Sequence, residues 1–404
     1  MPTVSQKSVF PTNFLWGAAT SAHQVEGNNH NDWTEWEKLG RVKNGEQSGR
    51  AAGHYERFAE DFNLAKELGH NAHRLSIEWS RIEPKPGIID QDAINHYRRV
   101  LQELRRLGIE PVVTLWHFTN PVWVARRGGW RNRDTVDLFG RYVMAVVREL
   151  GDLITYWVTI NEPTIYSTNA HLVGYWPPEQ RNIAAAWAVI RNFVLAHRLA
   201  YQIIHRHFST AKVGAANNLS HFVPVRPHHP LDRLLVRFAH YWHNQWWLDQ
   251  TYLEQDYIGL NYYFHHPLKF VLAGWRNWFV PRPSGDKPTS DVGWEIHAEG
   301  LGALLDFLGQ YRRPIIITEN GLADADDRQR ADFIRAHVAQ LVAARRRGLP
   351  IRGYLHWSLT DNFEWREGFA PRFGLIEVDY PTQRRTIRPS AYTYREIIQQ
   401  SLGS

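Results

Sequence analysis

The chain has 404 residues, of which 43% are hydrophobic and 22% charged, as in ordinary globular proteins and unlike disordered ones. No stretch approaches the ~18 uncharged apolar residues that a transmembrane helix needs, so we predict no membrane partner. Cysteine is absent, which excludes disulfides, zinc–thiolate sites and cysteine nucleophiles. Length alone allows either several average domains or one large α/β barrel.

The net charge is +6 at pH 7, which raises the question of a nucleic-acid partner. The basic residues are mostly arginines scattered over predicted helices. The densest run, 345–347, falls in the last turn of one of them, where cations complement the helix dipole. Because no basic stripe is present, we predict no nucleic-acid partner. Residues 1–7 lack the apolar core of a secretion signal, which predicts a cytoplasmic protein.

Short apolar runs alternate with amphipathic segments along the chain, a pattern typical of parallel strands joined by helices. The runs are nearly continuous in apolar residues, as expected for strands that are covered on both faces. Strands are predicted at residues 14–19, 72–77, 110–116, 154–160, 213–217, 257–262, 314–318 and 353–358. Helical spacing predicts helices at residues 55–68, 94–104, 138–150, 183–208 and 333–342.

This alternation favours a single (β/α)8 TIM barrel over residues 1–404, because no linker, low-complexity segment or internal repeat divides the chain. The proline-rich stretches 224–230 and 281–288 are expected to be long loops over the barrel mouth. In such barrels the active site lies at the C-terminal ends of the strands. Catalytic side chains are therefore expected directly after the apolar runs.

Polar and aromatic residues do follow these runs. Glu162 ends the fourth predicted strand and Glu319 the seventh. Other strand ends carry Arg74, His117, Asn161, Asn261, Tyr263 and Trp357. A lone glutamate in such a place is more often a structural acid paired with an arginine. Two glutamates together with polar and aromatic residues at the other strand ends favour glycoside hydrolysis. In that reaction one carboxyl protonates the leaving oxygen and the other attacks or activates water.

Taken one at a time, the other residues have ordinary structural interpretations. His117 is more often a core histidine than a ligand-binding one, and Trp357 is more often core packing than a binding platform. Asn261 and Tyr263 are also common ends for a strand. The pairs His228-His229 and His265-His266 lack metal-ligand spacing, so we predict no metal and no cofactor.

Four motifs carry a resemblance to a known family. They are residues 14–27 (FLWGAATSAHQVEG), 161–163 (NEP), 318–321 (TENG) and 357–365 (WSLTDNFEW). In this order and at these strand ends they make the chain resemble glycoside hydrolase family 1, and the likeness runs from Phe14 to about Tyr394. The resemblance implies a retaining β-glycosidase of small glycosides or oligosaccharides that hydrolyses β-glucosides, with β-galactosides and β-fucosides as further candidate substrates.

The resemblance also implies roles. Glu162 would be the acid/base and Glu319 the nucleophile, while Arg74 and Tyr263 would contact the nucleophile and hold it ionised. The sugar-binding residues would be Gln24, His117, Asn161, Asn261, Trp357, Glu364, Trp365 and Phe373. General chemistry agrees, because an arginine lowers the pKa of a neighbouring carboxyl, whereas burial and a second carboxylate raise it.

The sequence departs from the family in two places. His23 replaces a usual aromatic residue, which predicts a slightly altered pocket floor. The connection 249–256 is very short where family members carry several dozen residues, so we expect one side of the entrance to be open and bulky aglycones to be accepted.

Three alternatives remain open. One is a 6-phospho-β-glycosidase. Such enzymes usually lack an acid at the position of Glu364, and the carboxylate of Glu364 would repel the phosphate of their substrates. A non-catalytic sugar-binding protein on the same fold would be expected to have lost one of the two glutamates. A transglycosylase shares the same residues and is not separable from a hydrolase by sequence. The oligomeric state is also open.

Overall fold

The computed structural model describes residues 9–274, 277–282, 285 and 287–402. Its strands are β1 (Leu15–Ala19), β2 (Ala72–Ser76), β3 (Glu110–Thr114), β4 (Tyr156–Asn161), β5 (Lys212–Asn218), β6 (His221–Pro224), β7 (Ile258–Asn261), β8 (His265–Leu268), β9 (Ile315–Asn320), β10 (Ile351–Trp357), β11 (Ile376–Asp379) and β12 (Arg384–Ile387).

The α-helices are α1 (Ala22–Val25), α2 (Asp32–Glu37), α3 (His54–Glu67), α4 (Trp79–Ile82), α5 (Gln91–Arg106), α6 (Val122–Arg126), α7 (Thr135–Leu150), α8 (Pro163–Tyr166), α9 (Ile183–His207), α10 (Pro230–Ala239), α11 (Trp246–Thr251), α12 (Ala298–Gly309), α13 (Arg330–Arg346) and α14 (Pro389–Leu402). A π-helical turn (His240–Gln245) joins α10 to α11, so residues 230–251 form one continuous helix.

Eight parallel strands form a closed barrel in the order β1, β10, β9, β7, β5, β4, β3, β2. The prediction of a (β/α)8 barrel is confirmed, and each predicted strand overlaps an observed one. Closure depends on close backbone approach where β1 meets β2. A Cβ on Gly17 would lie 1.8 Å from the carbonyl oxygen of Ala72, so only glycine fits there.

Apolar side chains fill the barrel interior beneath the strand ends. Leu15, Val112, Val158, Ile316 and Leu355 are all buried within one cluster there. A second, larger cluster lies between the strands and the surrounding helices. The strand ends above the interior cluster are therefore supported from below by packed side chains, as is usual for this fold.

Helix α9 is the described helix that is long and apolar enough to span a membrane by length and composition. Its most apolar window is 56% buried, and it packs against α7 and β4. The helix therefore has the surroundings of a barrel helix, whose apolar side faces the strands.

Residues 225–229 of the first predicted mouth loop lack helix or strand, as do the described residues of the second. Strand β6 pairs in parallel with β8 to form the β6–β8 ribbon. These two strands follow the barrel strands β5 and β7 in the chain, so the ribbon extends beyond the ends of β5 and β7. Helix α10 then begins at Pro230, where the fixed φ of proline suits a first helical turn. Of the second stretch, residues 283, 284 and 286 lie outside the described residues.

The expectation that the short connection 249–256 opens the mouth is wrong. This connection runs from the last residues of α11 to just before β7, so it lies at the N-terminal face of the barrel, opposite the strand ends that carry Glu162 and Glu319. The backbone N–H of Asp256 donates to Val213 O at 2.8 Å, and its carboxylate accepts from Val213 N at 2.8 Å, near the start of β5. Connections from helix to strand lie at this face, where they contribute to stability rather than to the site.

Candidate active site

The strand ends bring the predicted site residues to the C-terminal face of the barrel. They lie in or follow seven different barrel strands, in chain order Gln24, Arg74, His117, Asn161, Glu162, Asn261, Tyr263, Glu319, Trp357, Glu364, Trp365 and Phe373. All are buried except Tyr263 and Glu364, which are partly exposed. Hydrogen bonds and ring contacts join them into one site.

Glu319 lies at the end of β9 between a cation and a phenol. Arg74 Nη1 donates to Glu319 Oε1 at 2.5 Å, and Tyr263 OH donates to Glu319 Oε2 at 2.9 Å. The guanidinium is fixed in turn, because Nε donates to Thr114 Oγ1 at 3.0 Å and Nη2 to Asn161 Oδ1 at 2.7 Å. The predicted contacts of Arg74 and Tyr263 with Glu319 are present, and they favour the charged form of this carboxyl.

Glu162 directly follows β4, and its hydrogen-bond partners in the described part of the chain are neutral. Asn261 Nδ2 and Asn218 Nδ2 donate to the same oxygen, Oε1, at 2.7 and 3.0 Å. Because Oε1 already accepts two hydrogen bonds, a proton on this carboxyl is favoured at the other oxygen, Oε2. The two amides thus orient the group as well as holding it.

The backbone at Glu162 is strained. Its φ is +46° and its ψ is 57°, in the left-handed region that non-glycine residues seldom adopt. Strand β4 ends at Asn161, directly before this residue, and Pro163 begins α8 directly after it. A conformation that costs energy at this position is held by the surrounding structure and turns the side chain out of the strand path.

Burial raises the pKa of both glutamates, and their different neighbours make the two pKa values differ. Glu162 is raised to about 8, first by burial and next by the charge of Glu319. Burial also raises the pKa of Glu319, which corrects the expectation of a lowered value, while Arg74 and Tyr263 oppose the rise. Among the described residues Glu319 contacts a cation and Glu162 does not, so Glu319 ionises first and leaves Glu162 protonated near neutral pH.

This coupling predicts the effect of Glu319→Gln on Glu162. Removing the buried charge should lower the pKa of Glu162 from about 8, because ionising Glu162 no longer creates a second negative charge in the site. Carbon-13 NMR of labelled glutamate carboxyls across a pH titration measures this value. Glu56→Gln, on the exposed part of α3, serves as a control and should leave the titration of Glu162 unchanged. A pKa that stays near 8 in Glu319→Gln would show that burial alone sets it.

Glu364 accepts hydrogen bonds from two amides. Gln24 Nε2 donates to Glu364 Oε2 at 3.1 Å, and Asn362 Nδ2 donates to the same oxygen at 2.8 Å. Burial raises the pKa of Glu364 to about 7. Its other carboxyl oxygen, Oε1, is left to accept from a hydroxyl-bearing ligand.

Aromatic rings form the walls of the site. His117 is stacked parallel to Trp357 and to Trp365, with ring centroids 5.9 and 6.0 Å apart. Phe373 lies 6.5 Å from Tyr263. Such apolar faces match the C–H face of a pyranose ring, whereas the amides and carboxylates suit its hydroxyl groups.

The family model described as Glycosyl hydrolase family 1 matches residues 6–262 and 254–402. The chain belongs to glycosyl hydrolase family 1. The family 1 resemblance seen in the motifs is thereby confirmed over almost the whole chain.

Relatives and solved structures agree with this assignment. The chain is 34% identical to Beta-glucosidase A of Thermotoga maritima, over 97% of this chain and 98% of that protein. It is 30% identical to a Beta-galactosidase of Sulfolobus acidocaldarius, over 96% of this chain and 94% of that protein. The β-glucosidase from Thermotoga maritima in complex with glucoimidazole superposes with a TM-score of 0.91 at 32% identity, covering 97% of this chain and 99% of that one.

Sequence reasoning missed three residues of this family 1 site. Asn218 donates to Glu162, Asn362 donates to Glu364, and Trp294 lies 5.8 Å from Tyr263 and 6.1 Å from Phe373. Asn218 ends β5, so the rule that polar residues end barrel strands applies to it. The predicted fifth strand stopped one residue earlier. Trp294 lies in an irregular segment between β8 and α12, where spacing gave no signal.

His23, the departure from the family pattern, lies behind the site. Its ring stacks on Trp365 with centroids 5.4 Å apart, and its Nε2 lies 2.9 Å from Glu37 Oε1. It therefore supports a wall of the predicted sugar site, and the expected change at the pocket floor stays a prediction.

Three histidines from separate segments meet beside the β6–β8 ribbon. Ring nitrogens of His221, His265 and His297 lie within 4.8 Å of one another. The rings of His265 and His297 are stacked, with centroids 3.9 Å apart and planes 3° from parallel. An imidazole binds a metal through a lone pair in its ring plane, so two stacked rings do not direct their lone pairs at one ion.

Proposed function

We propose that this family 1 chain is a retaining β-glycosidase that hydrolyses β-glucosides through a covalent glycosyl-enzyme intermediate. The observation that carries the proposal is the difference between the two buried glutamates. Glu319 contacts a guanidinium and a phenol, whereas Glu162 accepts hydrogen bonds from two amides. One carboxyl is therefore suited to attack as an anion, and the other to donate a proton.

The first chemical step forms a glycosyl ester. Glu162 donates its proton to the glycosidic oxygen while Glu319 attacks the anomeric carbon. The bond from that carbon to the leaving oxygen breaks, and the aglycone departs as an alcohol. Arg74 and Tyr263 release Glu319 as its charge is lost, and the same contacts stabilise the carboxylate when it leaves again.

The second step reverses these roles. Glu162, now a carboxylate, takes a proton from water, and the water oxygen attacks the anomeric carbon. The ester bond to Glu319 breaks, Glu319 regains its charge, and Glu162 regains its proton. Two inversions at one carbon give net retention of configuration.

The sugar would be held by neutral amides and one carboxyl group. We assign Gln24, Asn161 and His117 to its hydroxyls, with Glu364 accepting from two neighbouring hydroxyls. Trp357 would form the platform beneath the ring, and Trp365 and Phe373 would line the pocket. Asn261, which is occupied by Glu162 and by Asn161 Oδ1 at 3.1 Å, is better described as a residue that orients the acid.

A β-glucoside is the preferred substrate, with β-galactosides and β-fucosides as candidates. A carboxylate accepts from hydroxyls of either epimer at the position it faces, and relatives of this chain carry both the glucosidase and the galactosidase name. The negative charge of Glu364 disfavours a 6-phosphoglycoside. Rates on nitrophenyl β-glucoside, β-galactoside and a 6-phosphoglucoside would rank these substrates. The cytoplasmic location and the single-domain organisation stay predictions.

Glu319→Gly is expected to lose nearly all hydrolysis, because no nucleophile remains to form the ester. Azide is small enough to enter the space that the side chain leaves, so it should restore turnover and give the α-glycosyl azide. Product NMR identifies the anomer. Normal hydrolysis by this variant without azide would exclude Glu319 as the nucleophile.

Glu162→Ala should affect substrates according to their leaving groups. Cellobiose needs a proton on its departing oxygen and should lose at least ~100-fold in rate, whereas an acidic dinitrophenol departs unaided and should keep its first chemical step. Pre-steady-state bursts of released phenol measure that step. Equal losses in the first step for both substrates would contradict the acid/base role.

Glu364→Ala should cost about 2–4 kcal/mol of transition-state binding, since each charge-assisted hydrogen bond contributes about 1.5–3 kcal/mol and water compensates in part. The ratio of kcat/KM between the native enzyme and the variant on nitrophenyl β-glucoside gives this energy. Glu367→Ala, three residues further along the chain with a side chain that is 40% exposed, is the matched control. A loss below tenfold in Glu364→Ala would refute its contact with the sugar.

A further inference from the structure

A row of aromatic rings, four of them exposed and one partly buried, runs along the outside of the molecule. It consists of Trp246, Trp187, Trp242, Phe238 and Phe279, which we call the aromatic ridge. Successive ring centroids are 5.0, 6.0, 6.2 and 6.0 Å apart. Trp187, Phe238, Trp242 and Phe279 are 40–52% exposed. Contiguous apolar surface of this kind on a globular protein usually marks an interaction site.

The continuous helix 230–251 is apolar on two opposite sides. On one side Leu235 and Ala239 are buried against Leu268 of β8. On the other, Leu231 and Leu234 are 42% and 62% exposed and continue the line of Phe238 and Trp242 at helical spacing. Packing within the chain explains why the first side is apolar, but it does not explain the apolar residues on the second side. The second side is therefore available to a partner.

Four exposed arginines flank the aromatic ridge. Arg233 and Arg237 lie beside Leu234 and Phe238 on α10, and Arg191 lies one turn beyond Trp187 on α9, with Arg181 just before that helix. Within the described residues, none of these guanidinium groups forms an ion pair or a hydrogen bond. Exposed aromatic rings together with unpaired arginines are the composition of surfaces that bind the interface of a bilayer.

The ridge lies on the side of the molecule that carries the barrel mouth. Trp187 is in the second turn of α9, which starts where the chain returns from the C-terminal end of β4. Helix α10 packs on the β6–β8 ribbon, which extends beyond the barrel at the same face.

We propose that the aromatic ridge and its four arginines dock this protein peripherally on a bilayer of anionic phospholipids. The rings would enter the headgroup region, and the guanidinium groups would pair with lipid phosphates. This surface association needs no spanning segment, so it revises the sequence-based prediction of no membrane partner. It does not rest on the proposed glycosidase activity.

The positive charge beside the aromatic ridge favours an anionic bilayer over a second copy of the chain as its partner. A symmetric dimer through the ridge would bring the arginines of both copies to one interface, where like charges repel. An anionic bilayer attracts the same groups, and its attraction weakens as salt is added.

Vesicle co-sedimentation tests the proposal with the full chain. One vesicle contains phosphatidylcholine alone, and the other contains equal parts of phosphatidylcholine and phosphatidylglycerol. The native chain should bind the anionic vesicle at least tenfold more tightly, and high salt should reduce this binding. Absence of binding to the anionic vesicle would overturn the proposal.

Two double variants assign the binding to this surface. Phe238→Ser with Trp242→Ser removes rings, and Arg233→Glu with Arg237→Glu reverses charges; each should reduce vesicle binding at least tenfold. Activity on nitrophenyl β-glucoside should be unchanged in both, which shows that they are folded.

Matched controls use exposed residues elsewhere. Ile88→Ser with Leu253→Ser removes apolar groups that are 57% and 75% exposed, and Arg148→Glu with Arg206→Glu makes the same charge change near the last turns of α7 and α9. Both controls should bind vesicles like the native chain, and equal losses in them would overturn the assignment.

Light scattering measures the oligomeric state of the native chain and of the ring variant. A native dimer that becomes a monomer in the ring variant would show that a second copy covers the aromatic ridge, and it would overturn the proposal of a bilayer partner.

Discussion

The buried contact between Arg74 and Glu319 is the interaction on which the rest of the site depends. A guanidinium and a carboxylate that both leave water lose hydration energy, which good geometry and further hydrogen bonds must offset. Arg74 meets this requirement by bonding to Thr114, Asn161 and Thr318 as well as to Glu319. One side chain therefore joins the ends of β2, β3, β4 and β9. The same contact makes Glu319 chemically different from Glu162.

The closed barrel explains how these groups meet. Residues far apart in the chain become neighbours because parallel strands end at one face, and the packed interior below holds those ends in place. Hydrogen bonds between side chains then set orientation. Asn261 donates to both Asn161 and Glu162, which couples β7 to β4 beside the pair of glutamates. The left-handed backbone at Glu162 adds a local constraint that the surrounding contacts maintain.

Much of this arrangement follows from the sequence. Apolar runs that end in Glu162 and Glu319 predict both the barrel and the place of the two carboxyls. Strands buried on both faces appear in the sequence as continuous apolar runs, and the polar residues that follow these runs mark the strand ends. The role of Asn218 was missed because the end of β5 was placed one residue early. The connection 249–256 was placed at the wrong face, since its shortness says nothing about which end of the barrel it joins.

Features that depend on packing across the molecule were beyond sequence reasoning. The helix 230–251 was not among the predicted helices, and its first residue, Pro230, was assigned to the loop 224–230, although proline is a favourable first residue for a helix. The exposure of Phe238 and Trp242 is also invisible in the sequence, because an apolar residue at helical spacing is usually buried. The net rise in the pKa of Glu319 likewise depends on the depth of burial, which opposes the arginine beside it.

In the proposed reaction a sugar becomes covalently attached to Glu319 during turnover. A 2-deoxy-2-fluoro-β-glucoside with a dinitrophenol leaving group tests it directly, because fluorine slows both steps and the good leaving group rescues the first. Mass spectrometry of the intact chain and of its peptic peptides should show one fluoroglucosyl group on the peptide that contains Glu319. A label on another residue, or rapid turnover that releases α-glucose from an unmodified substrate without any covalent species, would contradict the account.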